Sequence, residues 1–75
     1  MKTTTNTYIT GSDLVTETST AGSKKERSEI LKIHSGLIVK AIDNHEKLID
    51  TSFYVSSNKV YSDVIIARKI GRAHV

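Results

Sequence analysis

The sequence has no cysteine, no proline and no tryptophan, and a single phenylalanine among its 75 residues. Without cysteine there is no disulfide, no thiolate metal site and no cysteine nucleophile; the redox compartment stays open, and a cytoplasmic location is the expectation. Without proline, no stiff linker or hard boundary is marked. Glycine occurs four times, never in a G-x-G-x-x-G or G-x-x-x-x-G-K-[ST] arrangement, so no phosphate cradle for a cofactor is indicated. Long apolar runs are missing too. Leu37-Ile38-Val39 and Val64-Ile65-Ile66-Ala67 fall far short of the roughly 20 residues that cross a bilayer. Hydroxyl residues follow Met1-Lys2 where a secretory signal would carry its apolar core. No membrane partner is expected.

Charge of one sign is also in short supply. Eleven Lys and Arg stand against eight Asp and Glu, a net charge of +3, too small a bias to argue for nucleic acid by itself. Size is the tightest bound, because a chain of this length buries only about 60% of the surface it exposes when unfolded. Any single core is therefore small.

What is present divides into three stretches. Residues 1–22 form a Thr-rich lead whose β-branched residues favour extended backbone. Gly11-Ser12-Asp13 supplies a turn between Thr7 to Thr10 and Leu14 to Thr18. With so few large apolar side chains, the lead is expected to be either a weak hairpin or disordered.

Residues 23–69 carry the structured part. Ser23-Lys24-Lys25-Glu26 has the form of a capping box. Ile30, Ile33, His34, Leu37, Ile38, Ala41, Ile42, His45, Leu48 and Ile49 then recur at three- and four-residue steps, which predicts one amphipathic helix from Ser23 to Ile49. Gly36 allows an alternative, a helix ending at His34 followed by a strand over Leu37 to Ile42. Beyond Asp50 the period becomes two, predicting a hairpin of Ser52 to Val55 and Val60 to Ala67 around Ser56-Ser57-Asn58-Lys59, a turn without the usual glycine. The fold class is α+β, with Ile30, Leu37, Ile38, Ala41, Leu48, Phe53, Val64 and Ile66 as the expected packing between helix and hairpin.

Residues 70–75 are expected to be non-native. Ile70-Gly71-Arg72-Ala73-His74-Val75 resembles translated sequencing-adapter sequence, read as ATC GGA AGA GCA CAC GTC with a stop codon next in frame. On that reading residues 23–69 are a fragment of a larger domain.

No residue earns a catalytic, cofactor or metal assignment. His34 and His45 lie eleven positions apart, about 16 Å along a helix. They cannot share a metal, and H-E-x-x-H is absent. A hydrogen-bonded, partly buried histidine is the plain reading of His34; a site built from His45 with Asp43 or Glu46 has no supporting pattern. Serine, histidine and aspartate are all present, but a triad needs geometry and no G-x-S-x-G elbow occurs. Glu26 and Glu29 suit the first turn of a helix. Two functions follow as expectations. The first is an interaction or scaffold segment whose apolar helix face docks on a protein partner or on a missing remainder of its own chain. The second is a nucleic-acid-associated module making non-specific phosphate contacts through Lys24, Lys25, Arg27, Lys32 and Lys40.

Overall fold

A computed structural model describes residues 1 to 69; the tail Ile70 to Val75 lies outside the described residues. The described chain runs β1 (Lys2–Thr10), β2 (Asp13–Ser23), a short 3-10 turn (Lys24–Glu26), α1 (Arg27–Asp43), β3 (Lys47–Ser56) and β4 (Lys59–Lys69). The four strands form one antiparallel sheet in the order β1-β2-β4-β3. β2 and β3 both pair with β4 and so run parallel to each other. The connection through α1 therefore crosses from β2 to β3 and leaves a gap that β4 fills.

The helix and hairpin expected after residue 23 are present, but two expectations are corrected. The N-terminus is not disordered: the hairpin is the alternative that forms, with its turn at Gly11-Ser12 and with strands longer than Thr7 to Thr10 and Leu14 to Thr18. β1 pairs with β2 from Lys2↔Ala21 to Thr10↔Asp13, and β2 pairs with β4 along its whole length. Gly11 makes this possible: it takes φ 60 at the first of two turn residues, the position where a two-residue hairpin turn of type II′ requires glycine. The strand order also gives the Thr-rich lead a partner that its own composition does not advertise.

The second correction concerns the helix, which ends at Asp43 and not at Ile49. The helix is continuous through Gly36, so the alternative strand over Leu37 to Ile42 is absent. It stops because His45 turns to φ 58, with the His45 N–H donating to Ile42 C=O and the Glu46 N–H to Ala41 C=O at 2.8 Å. That pair of bonds is the Schellman arrangement, with histidine where glycine is usual. Leu48 and Ile49 consequently belong to β3, where a bulge between Leu48 and Asp50 shifts the register.

One face of the sheet carries α1; among the described residues no helix or strand covers the other, where Val15 and Ala67 lie side by side and are buried by their neighbours in the sheet. The β2 residues Thr16, Thr18, Thr20 and Gly22 lie opposite Ile66, Val64, Ser62 and Val60 of β4, and these rows face the helix. The core between them is small: Ile30 and Val60 are fully buried, Ala41 and Val64 nearly so. Gly22 sits under the helix start, where an added Cβ would lie 2.9 Å from Ile30 Cδ1 and 2.8 Å from Glu26 Oε1. An alanine there would have to displace the tip of the buried Ile30 side chain and the Glu26 carboxylate, so the close approach of strand and helix favours glycine. α1 packs on β4, β3 and β2, whereas every residue of β1 is exposed.

Candidate functional site

The helix stripe brings His34 down on the sheet, where it meets two hydroxyls. His34 Nδ1 lies 2.7 Å from Ser62 Oγ of β4, and Nε2 lies 3.1 Å from Thr51 Oγ1 of β3. Its ring is tilted against Phe53, with centroids 5.5 Å apart. A neutral imidazole has one donor and one acceptor, and a hydroxyl can play either part, so both nitrogens are satisfied in either tautomer. Serine and histidine side by side invite comparison with a nucleophile and its base. However, Ser62 is 1% exposed, so an acyl substrate would have to enter the core, and the group beyond the imidazole is a threonine hydroxyl where an orienting carboxylate would be needed. The trio instead ties α1 to two strands. Ser62 and Thr51 did not stand out in the sequence; the signal was a hydroxyl in the alternating row Val60, Ser62, Val64, Ile66, opposite a histidine on the apolar stripe of the helix.

His45 is exposed at the helix end, far along the axis from His34. Glu46, one of the two acids near it in sequence, is an ion-pair partner of Arg68 and has a side chain only 6% exposed. Among the described residues no three His, Asp or Glu side chains gather as a metal site would need. Around this point Asp13, His45, Glu46, Lys47 and Lys69 line an open hollow of about 630 Å³ in which charges of both signs alternate.

At the other end of α1, the Glu26 carboxylate accepts from the Ser23 N–H at 2.9 Å and from the Ser23 hydroxyl at 3.1 Å. It also sits 2.9 Å from the Met1 ammonium. The Ser23 amide bond, followed by the Met1 ammonium, holds its pKa at about 2, well below the ordinary 4.5. The expected capping box thus forms, and it also anchors the start of β1.

The five cations proposed for phosphate contacts do not converge. Lys24, Lys25 and Arg27 line a shallow hollow with Ser28 and Leu31. Lys32 and Lys40 are eight positions apart on α1, about 12 Å along the axis. The sheet face away from α1 gives them no support. By register it carries Lys2, Lys47, Lys59 and Lys69 against Asp13, Glu17, Asp50 and Asp63, an even balance of sign. Its two stacked tyrosines, Tyr54 and Tyr61 at 5.0 Å, face each other across β3 and β4.

The apolar stripe of α1 is only partly covered. At 100° per residue, Leu31, Ile38 and Ile42 fall within about 40° of one another on the flank that overhangs β3. Leu31 is 45% and Ile42 63% exposed, and Leu48 and Val55 of β3 are 37% and 45% exposed. Leu48 and Val55 project to the helix side of the sheet, since they pair with Ile66 and Val60. Ile33 and Leu37 occupy the opposite flank, beside a groove of about 330 Å³ floored by Thr3, Thr5, Thr16 and Thr18. No helix among the described residues is long and apolar enough to cross a membrane. Compared with protein-family models, curated proteins and solved structures, the chain matches none.

Proposed function

We propose that the chain is a protein-interaction module that docks through the flank of α1 overhanging β3, taking an amphipathic helix of a partner protein. The observation that carries this reading is the exposure of Leu31, Ile42, Leu48 and Val55 along one flank. Isolated exposed apolar residues are ordinary; four on one side of the molecule, two from a helix and two from a strand whose side chains project to the helix side of the sheet, favour an interaction surface. Burying a Leu or Ile side chain fully is worth about 1.5–3 kcal/mol, so even partial cover of four would give a partner useful affinity. A helix partner suits this flank because a row of apolar positions three and four apart, carried over about three turns, would follow the roughly 16 Å from Leu31 to Ile42.

A photo-crosslinking amino acid placed at Ile42, and separately at Lys32 on the solvent side of the same helix, tests the reading in expressing cells. The expected result is a discrete protein adduct from position 42 and none from position 32, lost when Leu31→Asp is added. Equal labelling from both positions, or no adduct from either, would overturn it.

The cluster Lys24, Lys25 and Arg27, drawn together in one hollow, supports a second reading, weak phosphate binding. Affinity for duplex DNA would then fall with salt, log K against log salt having a slope of about −0.9 per phosphate contacted. Binding unchanged by Ala at all three positions would remove it.

A further inference from the structure

The two edges of the sheet are built differently, and the difference points to a partner for one of them. β3 is a guarded edge. The Ser56–Lys59 turn makes those two residues a hydrogen-bonded pair, so alternation turns the N–H groups of Thr51, Phe53 and Val55 outward. The Thr51 N–H is already taken, donating to Asp50 Oδ1 at 2.9 Å. Beside it the bulge at Ile49 interrupts the strand, and Lys47 and Asp50 put charge on the same stretch. Bulges and charged side chains are the usual means of keeping an edge from pairing with another chain.

β1 has none of these devices. It runs nine residues, Lys2–Thr10, without a bulge or proline, and its one charge stands at its first residue. Its turn is closed by the Thr10–Asp13 pair, in which the Thr10 C=O accepts from the Asp13 N–H. The backbone groups of Lys2, Thr4, Asn6, Tyr8 and Thr10 therefore face β2. Those of Thr3, Thr5, Thr7 and Ile9 face outward. Four residues thus offer a donor and an acceptor each that no described residue uses, along a strand rich in β-branched side chains.

We infer that β1 pairs antiparallel with β1 of a second copy of this chain, Asn6 lying against Asn6 on the twofold axis, to make one continuous eight-stranded sheet. The register follows from the strand itself. Only with Asn6 at the centre do all nine residues overlap, and this register also keeps the outward-facing residues in hydrogen-bonded pairs, Thr3 with Ile9 and Thr5 with Thr7 of the other copy. Lys2 then meets Thr10, so no like charges oppose each other. Tyr8, 46% exposed, lies beside Thr4, and Ile9, 67% exposed, beside Thr3, aromatic and β-branched cross-strand pairs that stabilise sheets. The two Asn6 amides can hydrogen-bond across the axis. A C2 interface of this kind is self-complementary by construction, and it lies on the opposite edge of the sheet from the α1–β3 flank, so it does not depend on the reading above.

Sedimentation equilibrium of the whole 75-residue chain, from micromolar to millimolar concentration, tests the inference. The wild type is expected to dimerise. Thr5→Pro removes an outward donor that β2 does not use, and it should raise the dissociation constant roughly tenfold or more while the melting transition of the monomer persists. Register is tested by charge. Thr5→Lys with Thr7→Lys opposes two lysines at each of two symmetry-related pairs and should give a monomer, whereas Thr5→Lys with Thr7→Glu makes both pairs attractive and should restore the dimer. A wild type that stays monomeric, a dimer indifferent to Thr5→Pro and to the double lysine, or a lysine–glutamate variant that fails to dimerise would each overturn it.

Discussion

Two hydroxyls sit opposite each other on the helix-facing side of the sheet, and the structure predicts that removing them has opposite effects. Thr20 of β2 pairs with Ser62 of β4, and both are almost fully buried, 2% and 1% exposed. Ser62 is bonded to His34; Thr20 Oγ1 has no hydrogen-bond partner among the described residues. Burying a hydroxyl without a partner costs about 1–3 kcal/mol in protein substitutions. Thr20→Val keeps the shape, removes that cost and raises strand propensity, so it should stabilise by about 1–2 kcal/mol. For a domain of this size each kcal/mol moves the melting temperature by about 4–8 °C. Ser62→Ala instead leaves a buried ring nitrogen of His34 unbonded and should destabilise by about 1–3 kcal/mol. Urea unfolding followed by circular dichroism reads both, as shifts of midpoint at unchanged slope. Thr16→Val is the control: Thr16 lies on the same face but is only half-buried and borders the open groove above β1 and β2, so it should move stability by less than about 0.5 kcal/mol. Loss of stability in Thr20→Val, or a neutral Ser62→Ala, would refute the assignment of these two hydroxyls.

Three further outcomes follow from the backbone and from charge. Ser57 at φ 56 and His45 at φ 58 hold a conformation costing about 1 kcal/mol or more for an L side chain, so thermal melts of Ser57→Gly and His45→Gly should each show about 0.5–1 kcal/mol of added stability, and Gly11→Ala a comparable loss. Gly36 and Gly22 should respond to alanine in opposite directions: an added Cβ meets nothing at Gly36 but collides with Ile30 and Glu26 at Gly22. Denaturant titration should therefore find about 0.5–1 kcal/mol gained in Gly36→Ala and about 1–3 kcal/mol lost in Gly22→Ala. The pKa of Glu26, lowered in the folded state from 4.5 to about 2, stabilises the fold fully above 4.5, and that contribution is lost as pH falls toward 2. Stability measured across that interval should fall less steeply in Glu26→Gln than in the wild type.

Much of the second half of the chain is legible because its apolar residues keep a period. Val60, Val64 and Ile66 alternate, the Ser23–Glu26 box marks a helix start, and Ile30, His34, Leu37 and Ala41 trace its buried side. The helix end is not legible for two physical reasons. His45 supplies the left-handed residue that a Gly usually announces, and the bulge at Ile49 offsets Leu48 and Ile49 so that they continue the three- and four-residue spacing of the helix into a strand. For the candidate flank, the apolar residues of α1 are read correctly as a stripe, but its division into a buried side and an exposed side depends on where β3 runs.

The turn of the N-terminal hairpin is legible at Gly11-Ser12, but its incorporation in the sheet is hidden for a different reason. A buried strand ordinarily shows itself by large apolar side chains at every second position, and β2 puts Thr16, Thr18, Thr20 and Gly22 there. These fit because β4 brings the apolar half of each cross-strand row, Ile66, Val64 and Val60, and because Gly22 yields its volume to Ile30. The hydrophobic pattern of β2 is thus carried by another strand, and no window centred on residues 13–23 can display it. β1 lies one step further out. It buries no side chain, so its order comes from its ladder with β2, the Gly11 turn and the Met1–Glu26 ion pair. A strand held by the backbone bonds of every second residue on one side, with the groups of the alternate residues turned outward on the other, gains most from a partner that completes the ladder, and this sets it apart from β3, where the bulge and Asp50 occupy the edge.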